Sequence, residues 1–127
     1  MSTNFTLINK TKATLPRVAF SVIKKAALGD KYKLSVTFVP PAHIKKLNLI
    51  YRNKNEATDI LSFPLSKNEG EIYISPSEAR KEAKKFDRPY ANFMAFLFIH
   101  GCTHLKGYDH GSTMERVEVK LRKKFKV

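Results

Sequence analysis

Apolar side chains crowd the start of the chain at Phe5, Leu7 and Ile8, which predicts a short first strand. Thr14 then suits a helix cap, with Pro16 in the first turn and Leu15, Val18, Val22 and Ala26 on one face, until Gly29 and Asp30 end the helix. Leu34, Val36 and Phe38 alternate with Ser35 and Thr37, the period of a half-buried strand. Pro40 and Pro41 open a second helix that turns Ile44, Leu47 and Tyr51 inward and leaves His43 at the surface. Ile60 to Phe63 reads as a strand stopped by Pro64. Gly70 to Ser75, with Ile72 and Ile74 alternating, reads as its hairpin partner across a polar turn through Lys67 and Asn68.

Ser75, Pro76, Ser77 and Glu78 form a capping box with proline at the first helical position, so a third helix should start there. It would bury Ala79, Ala83 and Phe86 and present Arg80, Lys81, Lys84 and Lys85 outward. Arg88 and Pro89 interrupt the chain before a run of Phe93, Met94, Phe96, Leu97, Phe98 and Ile99. That run predicts a helix over Asn92 to Lys106, apolar on nearly all sides and therefore central to the fold. Ser112 and Glu115 make a second capping box ahead of Val117, Leu121 and Phe125; Val117, Val119 and Leu121 would also suit a strand, and the cap decides for helix. With no repeat, linker or low-complexity tract, residues 1–127 are expected to form a single α+β domain, about five helices around a small sheet.

The chemistry concentrates in the stretch His100 to His110, which holds three of the four histidines. On the predicted helix His100 and His104 are one turn apart and point the same way. Gly107 ends the helix and lets the backbone reverse, so that His110 can return toward the other two. Three imidazoles leave an open ligand position, the mark of a catalytic rather than a structural zinc site. The spacing matches the metzincin peptidase pattern H-E-x-x-H-x-x-G-x-x-H, except that Gly101 stands where those enzymes carry the glutamate base. Losing a positioned base costs about two to four orders of magnitude in rate, which argues against amide hydrolysis by the usual route.

Composition narrows the setting. A chain of 127 residues can bury a core without metal or disulfide support, and its one cysteine, Cys102, allows no internal disulfide, in keeping with a reducing cytoplasm. Met1 to Lys10 lacks the pattern of a secretory signal, and no apolar run is long enough to span a membrane. Against 11 acidic residues stand 24 Lys and Arg, a net charge of +13, so the expected partner is a polyanion, nucleic acid ahead of acidic membrane. Lys84, Lys85 and Arg88, and Lys120, Arg122, Lys123, Lys124 and Lys126 in the tail, give basic surface on two predicted helices.

These residues resemble a known family. His100 to His110 is similar, at every fixed position, to the H-G-x-x-H-L-x-G-Y-D-H signature of the YbeY family of metal-dependent endoribonucleases. Leu47, Asn48, Tyr51 and Arg52, followed by Thr58, Asp59, Ile60, Leu61, Ser62, Phe63 and Pro64, resemble its L-N-x-x-Y-R and P-T-D-V-L-S-F-P blocks. Gly70, Glu71, Ile72 and Ile74 resemble its G-D-I-x-I strand. The resemblance implies a mixed sheet of about four strands flanked by helices, and one divalent ion, zinc above others, on His100, His104 and His110. It also implies a role for Arg52 facing the metal cleft, and work on ribosomal RNA in maturation and ribosome quality control, with the small subunit or its proteins as further partners. Two departures, Ala57 for proline and Glu71 for aspartate, bear on loop shape.

Three readings follow from residues and resemblance together: a single-strand-acting metal-dependent endoribonuclease, which leads; a metzincin-like metallohydrolase; and a ribosome-associated RNA-binding protein with a structural metal. In the leading reading Arg52 is the catalytic side chain, its planar fork of donors suiting phosphate and the extra charge of the transition state. Asp59 and Asp109 could orient a histidine or simply satisfy their turns, and structural roles are favoured for both. The protein is expected to be a cytoplasmic monomer with no membrane partner.

Overall fold

A computed structural model describes residues 4–107 and 111–127. In chain order the elements are β1 (Phe5–Asn9), α1 (Phe20–Leu28), β2 (Lys33–Phe38), α2 (Pro41–Arg52), β3 (Ile60–Ser66), β4 (Glu69–Ile74), α3 (Pro76–Lys85), α4 (Tyr90–Leu105) and α5 (Ser112–Phe125). Among the described residues this is the expected α+β arrangement, a four-stranded sheet ordered β1-β2-β4-β3 with five helices. The sheet is mixed: β1 and β4 run parallel to β2, and β3 runs antiparallel to β4, closing the expected hairpin.

Strand alternation sorts the helices onto two faces. Leu34, Val36 and Phe38 of β2 and Ile72 and Ile74 of β4 point into one large cluster with Phe20 and Ile23 of α1, Ala79 and Ala83 of α3, most of α4, and Leu121 of α5. The opposite face, with Leu61, Phe63 and Tyr73, packs against Ile44 and Leu47 of α2. α4 lies at the centre of the first face; Met94, Phe98, Ile99 and Cys102 are fully buried, as its apolar run on all sides requires. Two glycines permit its close approach. A Cβ on Gly101 would lie 2.8 Å from Ile60 Cδ1, 3.1 Å from Ser62 Oγ and 3.2 Å from Ile72 Cδ1, and a Cβ on Gly70 would lie 2.5 Å from Tyr32 Oη.

Some local expectations are corrected. α1 begins at Phe20 rather than near Thr14, because Phe20 supplies the aromatic anchor. Its ring meets Phe38 at 5.7 Å and Phe98 at 5.1 Å, both edge to face, and the buried face becomes Phe20, Ile23 and Leu28 with Val22 turned outward. β3 continues through Pro64 to Ser66 across a register shift, tolerated because β3 is an edge strand and needs no donor on its outer side. Phe86 lies beyond the end of α3, 63% exposed, and stacks on Phe93 instead of entering the core. Neither capping box forms a side-chain cap: Ser75 Oγ is buried without a partner, and Gly111 rather than Ser112 occupies the cap of α5. Tyr51 is exposed but rests on Phe63, and His43 is half-buried with its ring 6.5 Å from Tyr73.

Candidate functional site

The helical spacing does what the sequence asked of it at two of the three histidines. His100 and His104 project from the last turns of α4 with ring centroids 4.5 Å apart and Nε2 atoms 3.0 Å apart. His110, with Asp109, lies outside the described residues. The described residues alone contain no group of three side chains able to hold a metal.

What orients the pair comes from α5, which packs antiparallel on α4. His100 Nδ1 is hydrogen-bonded to the Glu118 carboxylate, and four residues back on α4 and four forward on α5, Phe96 meets Arg122. A carboxylate behind Nδ1 holds the proton there and leaves the Nε2 lone pair facing His104. Two imidazole nitrogens in a tetrahedral shell, each about 2.0–2.1 Å from a zinc-class ion, sit about 3.3 Å apart. Opening the observed 3.0 Å pair by a few tenths of an ångström is within side-chain freedom, so the donor set fits such an ion. Glu118 was missed from sequence, although a signal was there. It stands four residues after Met114 and three before Leu121, a carboxylate in line with the buried stripe of a mostly basic helix.

His100 lines a cleft of about 690 Å³. Phe86, Phe93 and Phe96 form its aromatic wall, and Arg88 and Arg122 both lie over the Phe96 ring, at 4.8 and 5.0 Å from its centroid. Burial, and then the charge of Arg122, push the Arg88 guanidinium below its ordinary value. Asp59 also borders the cleft; burial and then the nearby Glu82 raise its carboxyl above the usual carboxylate range, against hydrogen bonds from the backbone and from Thr58. The Thr58 hydroxyl donates to Asp59 Oδ1 at 3.5 Å.

Arg52 does not line that cleft: it ends α2, whose Ile44 and Leu47 pack on the other face of the sheet, and it is exposed. Gly101 packs on the inner face of β3 and β4, so no side chain at that position reaches the histidines without displacing Ile60.

Known proteins are similar to this chain in sequence and fold. The family model described as Endoribonuclease YbeY matches residues 3–126. The Endoribonuclease YbeY of Staphylococcus carnosus is 34% identical over 113 residues, spanning 80% of this chain and 74% of that protein. The Syntrophomonas wolfei protein of the same name is 35% identical over 127 residues, spanning 86% and 81%. In a solution structure from Thermotoga maritima, 25% identical, the fold matches with a TM-score of 0.66 over 96% of this chain and 91% of the other. Sequence and fold agree over nearly the full length, and the chain belongs to the YbeY endoribonuclease family.

Proposed function

We propose that the protein is a metal-dependent endoribonuclease that cuts single-stranded segments of ribosomal RNA during rRNA maturation and ribosome quality control. The observation that carries this reading is the convergence of the His100 and His104 Nε2 atoms, braced by Glu118, at the end of a cleft lined by two arginines. His100, His104 and His110 would hold one divalent ion, zinc above others. Bound there, such an ion polarises a phosphoryl oxygen and acidifies water.

The chain's own residues supply the rest. Glu118 keeps the His100 imidazole in one tautomer and one orientation, which raises its basicity as a ligand. Arg52, exposed in the last turn of α2, would contact the substrate phosphate and stabilise charge that grows in the transition state. The attacking oxygen comes either from water or from the substrate's own 2′-hydroxyl. A peptidase reading would need a carboxylate base at position 101, where even a Cβ meets Ile60 at 2.8 Å. The net charge of +13 suits RNA, and no helix among the described residues is long and apolar enough to cross a membrane. We place the protein in the cytoplasm as a monomer acting on rRNA, with the small ribosomal subunit as its setting.

The test joins elemental analysis to a ribonuclease assay. Wild type should hold about one divalent ion and cut single-stranded RNA; His104→Ala should lose both while keeping its helical circular dichroism. Equal metal content in wild type and in variants of all three histidines would refute the ligand assignment. Cleavage unchanged in His104→Ala would refute the catalytic one.

A further inference from the structure

The cleft beside His100 is more elaborate than histidine ligation requires. An aromatic ladder runs along it: Phe86 on Phe93 at 6.1 Å and 15°, Phe93 on Phe96 at 5.9 Å, and Phe96 on His100 at 6.4 Å and 23°. The ladder's outer rung, Phe86, is 63% exposed and takes no place in the core. Over the Phe96 rung sit Arg88, from the segment before α4, and Arg122, from α5. Arg122 Nε is buried without a hydrogen-bond partner, and among the described residues neither arginine joins an ion pair. Two like charges gathered on one ring beside an unfilled donor disfavour the fold, so a purely structural role would be better served by apolar side chains. The arrangement suits a ligand that is flat on one part and anionic on the next. An unpaired nucleotide has that form, because its base can stack on an aromatic ring or guanidinium plane and its phosphate can accept guanidinium hydrogen bonds. A paired base hides both faces in the helix stack, so a duplex does not fit.

Resting on the endoribonuclease reading, we propose that this cleft is a nucleobase subsite: an unpaired base of the RNA strand stacks on Phe86, and Arg88 and Arg122 take the adjoining phosphate beside His100. The subsite accounts for a preference for single strands and gives Phe86 a reason to be exposed. It also places base recognition on the α4 side of the sheet, apart from Arg52.

Equilibrium binding at 4 °C tests this with two fluorescein-labelled probes, a uridylate decamer and an abasic ribose-phosphate decamer of equal charge. Wild type should prefer the uridylate probe by roughly tenfold, the scale of one base–aromatic stack. Phe86→Ala should bring the two affinities together with metal content unchanged. Arg122→Ala should weaken both probes and lower the salt slope by roughly 0.7, the value for one single-strand phosphate contact. The chain contains no tryptophan, so Phe86→Trp adds a lone reporter whose emission should be quenched by the uridylate decamer and not by the abasic one. If wild type cuts RNA while Phe86→Ala keeps the tenfold preference and the Phe86→Trp indole is not quenched, the subsite is refuted and the endoribonuclease reading stands. Quenching by an acidic peptide instead of RNA would assign the cleft to a protein partner and refute it as well. Wild type that neither binds nor cuts RNA would end both.

Discussion

Gly101 offers the sharpest test of how the candidate site is built, because its missing side chain lets α4 lie against β3 and β4. In Gly101→Ala the new Cβ would start 2.8 Å from Ile60 Cδ1, 3.1 Å from Ser62 Oγ and 3.2 Å from Ile72 Cδ1, whereas ordinary contacts begin near 3.4 Å. Alanine in a helix interior gains about 1 kcal/mol over glycine. Overpacking a tight core costs about 1–3 kcal/mol. The expected net effect is a loss of about 1 kcal/mol, or roughly 3–5 °C in Tm for a chain of this size. Ile60→Val removes the nearest obstructing atom. Alone it should cost about 0.5 kcal/mol, the low end for Ile→Val since Ile60 is only half-buried. In the Gly101→Ala background it should cost nothing or restore stability, a coupling of about 0.5–1 kcal/mol. Urea or thermal unfolding of the four proteins measures the cycle. Additivity to within a few tenths of a kcal/mol, or a Gly101→Ala protein more stable than wild type, would show that α4 does not sit as closely on the sheet as described.

Three other outcomes follow from the same geometry. Glu118→Gln should keep the fold but loosen metal binding about 10- to 100-fold in chelator competition, because the amide cannot hold the His100 Nδ1 proton as a carboxylate does; undiminished affinity would remove Glu118 from the site. Arg52→Ala should slow RNA cleavage by about two orders of magnitude or more with metal content intact, and a variant that cuts at the wild-type rate would hand the phosphate contact to another basic residue. Burial pushes the Cys102 thiol well above its ordinary value of 9.0, so it should resist a thiol-specific reagent until the protein unfolds. Because only the unfolded thiol titrates near that value, this contribution to stability is intact below about pH 9 and declines above it; Cys102→Ala should remove that slope in unfolding curves measured from pH 7 to 10.

The order and type of the elements were legible wherever one local rule dominated. The alternation of Leu34, Val36 and Phe38, the all-round apolar run of α4, and the prolines at the starts of α2 and α3 each predicted an element that exists. Errors came where a local signal competed with a distant partner. Thr14 and Pro16 look like a helix start, yet the packing of Phe20 on Phe38 and Phe98 sets the start of α1 five or six residues later, through rings contributed by β2 and α4. Phe86 fits the apolar stripe of α3, but that helix ends one residue earlier and the ring takes a neighbour on α4.

At the site, sequence alone determined the pairing of His100 with His104, since a four-residue step on a helix brings two side chains together whatever surrounds them. The same step hid the rest. Glu118 and Arg122 lie one turn apart on α5, and Phe96 and His100 one turn apart on α4; each pair is readable, but their opposition is not. Only the antiparallel packing of α5 on α4 puts a carboxylate behind the histidine and a guanidinium over the phenylalanine, and only the layering of the sheet puts α2, which ends at Arg52, on the other face from α4. Contacts within a helix follow from its period. Contacts between helices depend on which faces the hydrophobic core draws together, a property of the whole chain and not of any one segment.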